Sequence, residues 1–196
     1  MKGRLPDEDV EILVRDMVQY SKDTIRGEVT NEREKTHGYE SDLRDCDIHF
    51  VHPSCFPNTA MILHSLLIEG YNNIYPDLDY TNISDFQYVR YSKGQFFRKH
   101  NDVIRNNDGL DHFRHLTMSI NMSDEDDYVG GDLVVYDKSD NEIGRMDRAK
   151  GSYMIIPAFF VHEAHLVESG TREAIVTWLS GTNKTLSSFR AHVGDK

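Results

Sequence analysis

His100 and Asp102 stand two residues apart in Arg98-Lys99-His100-Asn101-Asp102. In an extended strand, residues i and i+2 share a face. One imidazole and one carboxylate then project side by side, as neighbouring ligands of a metal ion must. The tripeptide alone carries little weight, because 10 His and 33 acidic residues in 196 produce such pairs by chance. A third ligand comes later. Gly151-Ser-Tyr-Met-Ile-Ile-Pro157 reads as a turn, an apolar strand and a stop, and His162 follows it. Ten residues further on, Arg172 leads into the apolar run Ala174-Ile-Val-Thr-Trp178-Leu. A guanidinium entering such a strand needs a partner, and its planar fork suits a carboxylate held bidentately.

Two imidazoles and one carboxylate make the facial triad of non-haem Fe(II) oxygenases, which leaves positions open for a chelating co-substrate and for O2. The same donor set also serves zinc hydrolases. Arg172 favours iron, since it can take the far carboxylate of a dicarboxylic acid whose near end chelates the metal. His165 is a rival to His162 as the third ligand. The stretch Leu116–Met122 sets Leu116, Met118, Ile120 and Met122 on one face and Thr117, Ser119 and Asn121 on the other. A barrel interior that receives a dianion needs such a polar face, and an ordinary strand with a solvent side shows the same alternation. Tyr91 offers either a phenol to this pocket or a core aromatic.

These residues must be positioned by short strands. Phe86–Tyr91, Leu116–Met122, Leu133–Tyr136, Glu142–Met146, Ser152–Ile156 and Ala174–Leu179 are strand-like. Turn signals separate them at Gly94, Asn106-Asn107-Asp108-Gly109, Gly130-Gly131, Ser139-Asp140-Asn141, Gly151 and Ser169-Gly170. That spacing predicts an antiparallel sandwich or jelly roll. Before residue 83 the pattern is helical. Pro6 with Asp7, Glu8 and Asp9 opens a helix carrying Val10, Leu13, Val14, Met17 and Val18, with Gly27 past its end. Residues 27–42 read as a mobile loop, and Ile48 and Phe50 as a short strand. Asn58 caps a second helix that closes at Gly70. Both helices are expected to pack against a sheet. The chain is thus predicted as one domain, 1–196, with helical support over 1–82, a core over 83–181 and a tail over 182–196.

The composition is globular, with 38% hydrophobic, 10% aromatic and 28% charged residues. A formal charge of -11 argues against a bulk grip on nucleic acid or an anionic membrane. Lys93, Arg98, Lys99, Arg105 and Arg114 leave room for a local basic groove. Cys46 and Cys55 cannot form a disulfide framework and read as small buried or half-buried thiols. The N-terminus lacks the apolar core of a signal peptide, and no apolar run reaches membrane-spanning length. These features predict a protein of a reducing cytoplasm.

Tyr91-Ser-Lys-Gly94-Gln-Phe-Phe97-Arg-Lys-His100-Asn-Asp102 resembles the Tyr-x-x-Gly-x-x-Phe-x-x-His-x-Asp segment of Fe(II)- and 2-oxoglutarate-dependent dioxygenases of the prolyl 4-hydroxylase type. Arg114-His-Leu-Thr117, the hairpin Tyr128-Val-Gly130-Gly131, Lys150-Gly151-Ser152, His162-Glu163, Gly170-Thr-Arg172 and Trp178 continue the resemblance in order. Ser123-Asp-x-x-x-Tyr128-x-Gly-Gly is most similar to the bacterial and phage PKHD-type hydroxylases. The resemblance spans roughly residues 86 to 181. It implies a mainly β fold with flanking α-helices: a double-stranded β-helix (jelly-roll, cupin-like) core supported by N-terminal helices. It implies His100, Asp102 and His162 as iron ligands and Arg172 as partner of the distal 2-oxoglutarate carboxylate. Tyr91, Thr117, Ser119, Asn121 and Trp178 are implied around the co-substrate, Asn121 standing where some members carry a tyrosine. The spacing from His162 to Arg172 matches the family, so His162 is preferred to His165. Asp102 argues against halogenation, since halogenases have a small residue there. The implied cofactors are Fe(II), 2-oxoglutarate and O2, with ascorbate as a reductant. The implied substrate is a prolyl residue of a peptide or protein. A free amino acid or other small molecule is the alternative, and a non-catalytic jelly-roll binding module is a further one. A peptide would need an open, elongated cleft, and loops 27–42 and 103–113 are the candidates to line it.

Overall fold

The computed structural model describes residues 1–22, 25–27, 29–31, 36–38, 42–76, 80–103 and 112–182. In chain order the strands are β1 (Lys2–Arg4), β2 (Ile25–Arg26), β3 (Val29–Asn31), β4 (Thr36–Gly38), β5 (Arg44–Asp45), β6 (Asp47–Val51), β7 (Tyr80–Ile83) and β8 (Phe86–Ser92). They continue as β9 (Phe96–His100), β10 (His112–Asn121), β11 (Tyr128–Gly130), β12 (Leu133–Tyr136), β13 (Glu142–Arg145), β14 (Ser152–Pro157), β15 (Val161–Ala164) and β16 (Val167–Thr182). Two helices, α1 (Asp7–Met17) and α2 (Pro57–Ile74), precede the main run of strands.

The larger sheet runs β1-β14-β10-β16-β8-β6-β2, with β7 and β11 also paired to β16. The smaller sheet runs β13-β12-β15-β9-β5. Every pairing is antiparallel, and residues of both sheets meet in one apolar cluster of Val89, Tyr91, Phe97, Ala164 and Val167. This is the predicted jelly roll with flanking helices. No described helix is long and apolar enough to cross a membrane.

The helices cover the outer face of the larger sheet. Leu13 and Met17 of α1, and Leu63, Leu67 and Tyr71 of α2, pack against Leu116, Met118, Ile120, Ile155 and Leu179. The acids of the first turn of α1 suit its positive end, and the helix gives way to a 3-10 turn at Val18–Lys22. Helix α2 differs from expectation at both ends. Pro57 takes the first helical position, with Phe56 rather than Asn58 before it, because proline's fixed φ starts a helix and its missing N–H is not needed there. Gly70 lies inside the helix. A Cβ on it would stand 3.0 Å from two side-chain carbons of Ile155, so this glycine lets the helix approach the sheet instead of ending it.

Three other expectations change. The stretch 1–82 is not only helical support: besides β6, the short strand expected at Ile48 and Phe50, β1 and β2 join the larger sheet and β5 the smaller. The unexpected ones, β1, β2 and β5, have two or three residues, too few for a period to stand out. Within the expected loop 27–42, β3 and β4 pair as a two-stranded ribbon. Ser169-Gly170 was expected to be a turn, yet β16 runs through it. Gly170 has φ 75°, and a Cβ there would fall 1.9 Å from the carbonyl oxygen of Asp127. Its bare backbone lets β11 pair with the first part of β16. Most of the expected loop 103–113, and the tail from residue 183, lie outside the described residues. Cys46 is buried and Cys55 exposed, both as free thiols.

Candidate active site

His100 ends β9, and Asp102 follows it in an irregular segment fixed by a hydrogen bond from its N–H to the Ala158 carbonyl, 2.8 Å. His162, five residues past the end of β14, does not lie in a loop. It occupies its own strand, β15, and pairs directly with His100 of β9. That register, rather than sequence proximity, brings the two imidazoles onto one face with ring centroids 4.3 Å apart. One ligand atom from each of His100, Asp102 and His162 lies within 4.8 Å of the others, and the three form the one such group of His, Cys, Asp or Glu among the described residues. His165, the rival ligand, is instead hydrogen-bonded to Tyr136.

Hydrogen bonds to backbone carbonyls fix which atoms face inward. His100 Nδ1 donates to the Arg98 carbonyl at 2.7 Å, and His162 Nδ1 donates to the Phe160 carbonyl at 3.0 Å. A carbonyl only accepts, so both Nδ1 atoms carry the hydrogen and both Nε2 atoms present a lone pair. His162 Nε2 lies 3.4 Å from Asp102 Oδ2, and His100 Nε2 lies 3.7 Å from Asp102 Oδ1. Phe97 stacks on the His100 ring at 3.5 Å.

Asp102 Oδ2 accepts from Thr117 Oγ1 at 2.7 Å and from the indole Nε1 of Trp178 at 3.0 Å. Oδ1 is left for a metal. Burial pushes the Asp102 carboxyl up, but His162, its hydrogen bond, His100 and Arg114 outweigh this and hold it well below the usual range. Burial, then the neighbouring His162, pushes His100 down to about 3. Burial also pulls His162 down, yet the Asp102 charge and hydrogen bond leave it raised. A neutral imidazole facing an ionised carboxylate is the protonation state a divalent cation requires.

Beyond the triad, Thr117, Ser119 and Asn121 are 4%, 5% and 0% exposed, so the polar face of β10 lines the interior and has no solvent side. Thr117 pairs with Trp178 and Asn121 with Ala174 of β16, so Arg172, Ala174, Val176 and Trp178 share that wall. Arg172 is 2% exposed, and its Nη2 has no hydrogen-bond partner among the described residues. It pairs across the sheet with Tyr91, and its guanidinium carbon lies 5.7 Å from the Tyr91 ring. Burial raises the Tyr91 phenol, which stays neutral. A buried guanidinium nitrogen with nothing to donate to, on the wall that carries Asp102's two donors, fits a carboxylate ligand.

Thr117 and Trp178 were expected around the co-substrate and are found holding Asp102. Arg114 was expected only in a basic groove, and Arg44 was missed. Arg114 lies over the Trp178 ring at 3.7 Å. Arg44 of β5 lies over Phe97 at 4.6 Å, donates to Cys46 Sγ at 3.0 Å and to Gln87 Oε1 at 3.3 Å. A two-residue strand gives no sequence signal for Arg44. The expected basic groove is already engaged in part, since Arg98 donates to the Asp42 carbonyl and Lys99 pairs with Asp140 at 2.5 Å.

A family model described as the 2OG-Fe(II) oxygenase superfamily matches residues 86–180. A PKHD-type hydroxylase of Idiomarina loihiensis is 26% identical over 96 residues, covering 48% of this chain and 41% of the relative. One from Synechococcus elongatus is 31% identical over 94 residues, covering 47% and 41%. The chain thus spans about two fifths of the length of these curated relatives. The fold is similar to a prolyl-4-hydroxylase of Pseudomonas putida, with TM-score 0.69, 15% identity and 92% and 91% of the two chains covered. It is also similar to a Trichoplax adhaerens prolyl hydroxylase solved with a hypoxia inducible factor peptide fragment, with TM-score 0.71, 15% identity and 97% and 86% covered. Strand register, donor set and sequence match converge on residues 86–180, which resemble the 2OG-Fe(II) oxygenase superfamily, in a fold similar to that of solved prolyl hydroxylases.

Proposed function

We propose that the chain is an Fe(II)- and 2-oxoglutarate-dependent dioxygenase that hydroxylates an unactivated C–H bond of a prolyl residue in a peptide or protein. The observation that carries the chemistry is the pairing of a three-donor set with a buried guanidinium, on the wall that carries Asp102's two donors, whose Nη2 lacks a partner among the described residues. His100 Nε2, Asp102 Oδ1 and His162 Nε2 would hold the iron. When bound, iron with 2-oxoglutarate and O2 supplies the C–H hydroxylation, and 2-oxoglutarate leaves as succinate and CO2. Arg172 takes the far carboxylate and so fixes the direction in which the near end reaches the metal. Thr117 and Trp178 tie one oxygen of Asp102, which keeps the other in a single direction and leaves the remaining positions open. The His100 imidazole, held neutral by burial, need shed no proton when the cation enters.

The peptide reading is supported by the likeness to a prolyl hydroxylase solved with a peptide and by the PKHD-type relatives. Two free thiols fit action in a reducing cytoplasm. The test uses protein loaded anaerobically with Fe(II) and 2-oxoglutarate, with ascorbate as reductant. A visible charge-transfer band before aeration and succinate release after it are expected. Proline-containing peptides and free proline are then screened for a product heavier by one oxygen atom. Absence of both band and succinate sinks the oxygenase reading. Oxygen transfer to free proline alone sinks the peptide reading.

A further inference from the structure

Asn121 is fully buried, and its side-chain amide is locked. Nδ2 donates to the carbonyl of Ser123 at 2.9 Å and to that of Arg148 at 2.5 Å. Turning the amide over would set its oxygen against two carbonyl oxygens, so Oδ1 must point the other way. That oxygen has no hydrogen-bond partner among the described residues. Asn121 lies opposite Ala174, and Arg172, two residues along β16, is its diagonal neighbour on the same face. One interior wall therefore holds an unsatisfied acceptor beside an unsatisfied donor, Arg172 Nη2. Both atoms belong to side chains at most 2% exposed.

A carboxylate satisfies only half of this pair. It accepts from Arg172 but meets Asn121 Oδ1 as one acceptor meets another. The group between them must donate in two directions. We propose that Asn121 sets the specificity of the co-substrate's far end by holding one water, which donates one hydrogen to Asn121 Oδ1 and the other to the carboxylate that Arg172 binds. A water in such a place satisfies a buried acceptor at little cost. The far end of the pocket is then a donor–acceptor pair, where a tyrosine hydroxyl in place of Asn121 would make it donor-only toward a carboxylate. Arg148 supports the lock. Its guanidinium donates to Tyr128 O at 2.5 Å and Gly130 O at 2.8 Å, which fixes the carbonyl that Asn121 holds. The inference rests on 2-oxoglutarate being the co-substrate.

A donor–acceptor pair makes a prediction that a donor-only pocket does not. The far-end amide of 2-oxoglutarate, 2-oxoglutaramate, can replace the water, its carbonyl accepting from Arg172 and its NH2 donating to Asn121. Dissociation constants for the two compounds are measured on Mn(II)-loaded protein without O2, by titration of the fluorescence of Trp178, the single tryptophan. The amide is expected to bind within about tenfold of the acid, and Asn121→Leu to widen that gap to about a hundredfold, roughly one hydrogen bond's worth. A gap of about a hundredfold in the unaltered protein overturns the proposal. Should Asn121→Leu not fold, a crystal structure of the unaltered protein with Mn(II) and 2-oxoglutarate decides. Water within hydrogen-bond distance of both Asn121 Oδ1 and the carboxylate supports the proposal. A carboxylate on Arg172 with no water at Asn121 overturns this inference alone. A 2-oxoglutarate that fails to bind, or binds away from Arg172, overturns the co-substrate reading as well.

Discussion

Replacing Thr117 by valine removes one hydroxyl and almost no volume. That hydroxyl donates to Asp102 Oδ2 at 2.7 Å, and the carboxylate it serves is ionised, 8% exposed and otherwise held by Trp178 Nε1 at 3.0 Å. A hydrogen bond to a buried charge contributes about 1.5–3 kcal/mol, and loss of a partner behind a metal ligand weakens metal binding about 10–100-fold. Thr117→Val is therefore expected to raise the Mn(II) dissociation constant about tenfold, read by calorimetry on apo protein without O2. Trp178→Phe removes the other donor and shrinks the ring beneath Arg114, so its effect should be equal or larger. Both donors bond the same oxygen, so the double variant should depart from additivity by about 0.5 kcal/mol or more. Far-ultraviolet circular dichroism must match the unaltered protein in each case. An unchanged Mn(II) affinity in folded Thr117→Val would falsify the view that this hydroxyl orients the ligand.

Arg172→Lys keeps the charge and loses the fork, so the KM for 2-oxoglutarate should rise about tenfold or more while kcat changes less. An equal fall in kcat at saturating 2-oxoglutarate would place Arg172 elsewhere in the reaction. Gly170→Ala must force a Cβ to 1.9 Å from the Asp127 carbonyl oxygen at φ 75°, and should destabilise by about 3 kcal/mol or more in urea unfolding. Gly94→Ala is the control, since φ 88° carries the same strain with nothing within 4 Å, and about 1–2 kcal/mol is expected; equal losses at both sites would refute the close-approach argument. Burial holds the His115 imidazole down to about 4 from its ordinary 6.5. The unfolded chain takes up this proton below 6.5 and the folded chain does not until about 4, so stability is full above 6.5 and falls between 6.5 and 4. The limit is about 3 kcal/mol, reduced by solvent screening to about 1–2. His115→Leu should flatten that part of the stability curve, and a slope identical to the unaltered protein's would refute it.

The strands that carry the chemistry were legible because their period is simple. Leu116–Met122 alternates along its length, and the structure sends its apolar side under α2 and its polar side into the barrel. Gly70 misled because a glycine in a helical run signals either a stop or a close contact, and only Ile155, far along the chain, decides between them. Gly170 misled for the same reason, with Asp127 as the distant partner. The short strands β5 and β15 carry too few residues to show a period, so Arg44 and the strand around His162 could not be read locally. Residue type and order thus gave the donor set, whereas who touches whom across the sheets did not follow from them.

That division has a physical consequence for the site. The two histidines meet because β9 and β15 pair in register, and Thr117 meets Trp178 because β10 and β16 do. Asp102, between the two sheets, takes its direction from the larger sheet's side chains and its place from the Ala158 carbonyl just after β14. The metal site is therefore spanned by both sheets: two ligands belong to the smaller one, and the third is steered by the larger. A shift of either sheet changes the angle at which Oδ1 meets the two Nε2 atoms.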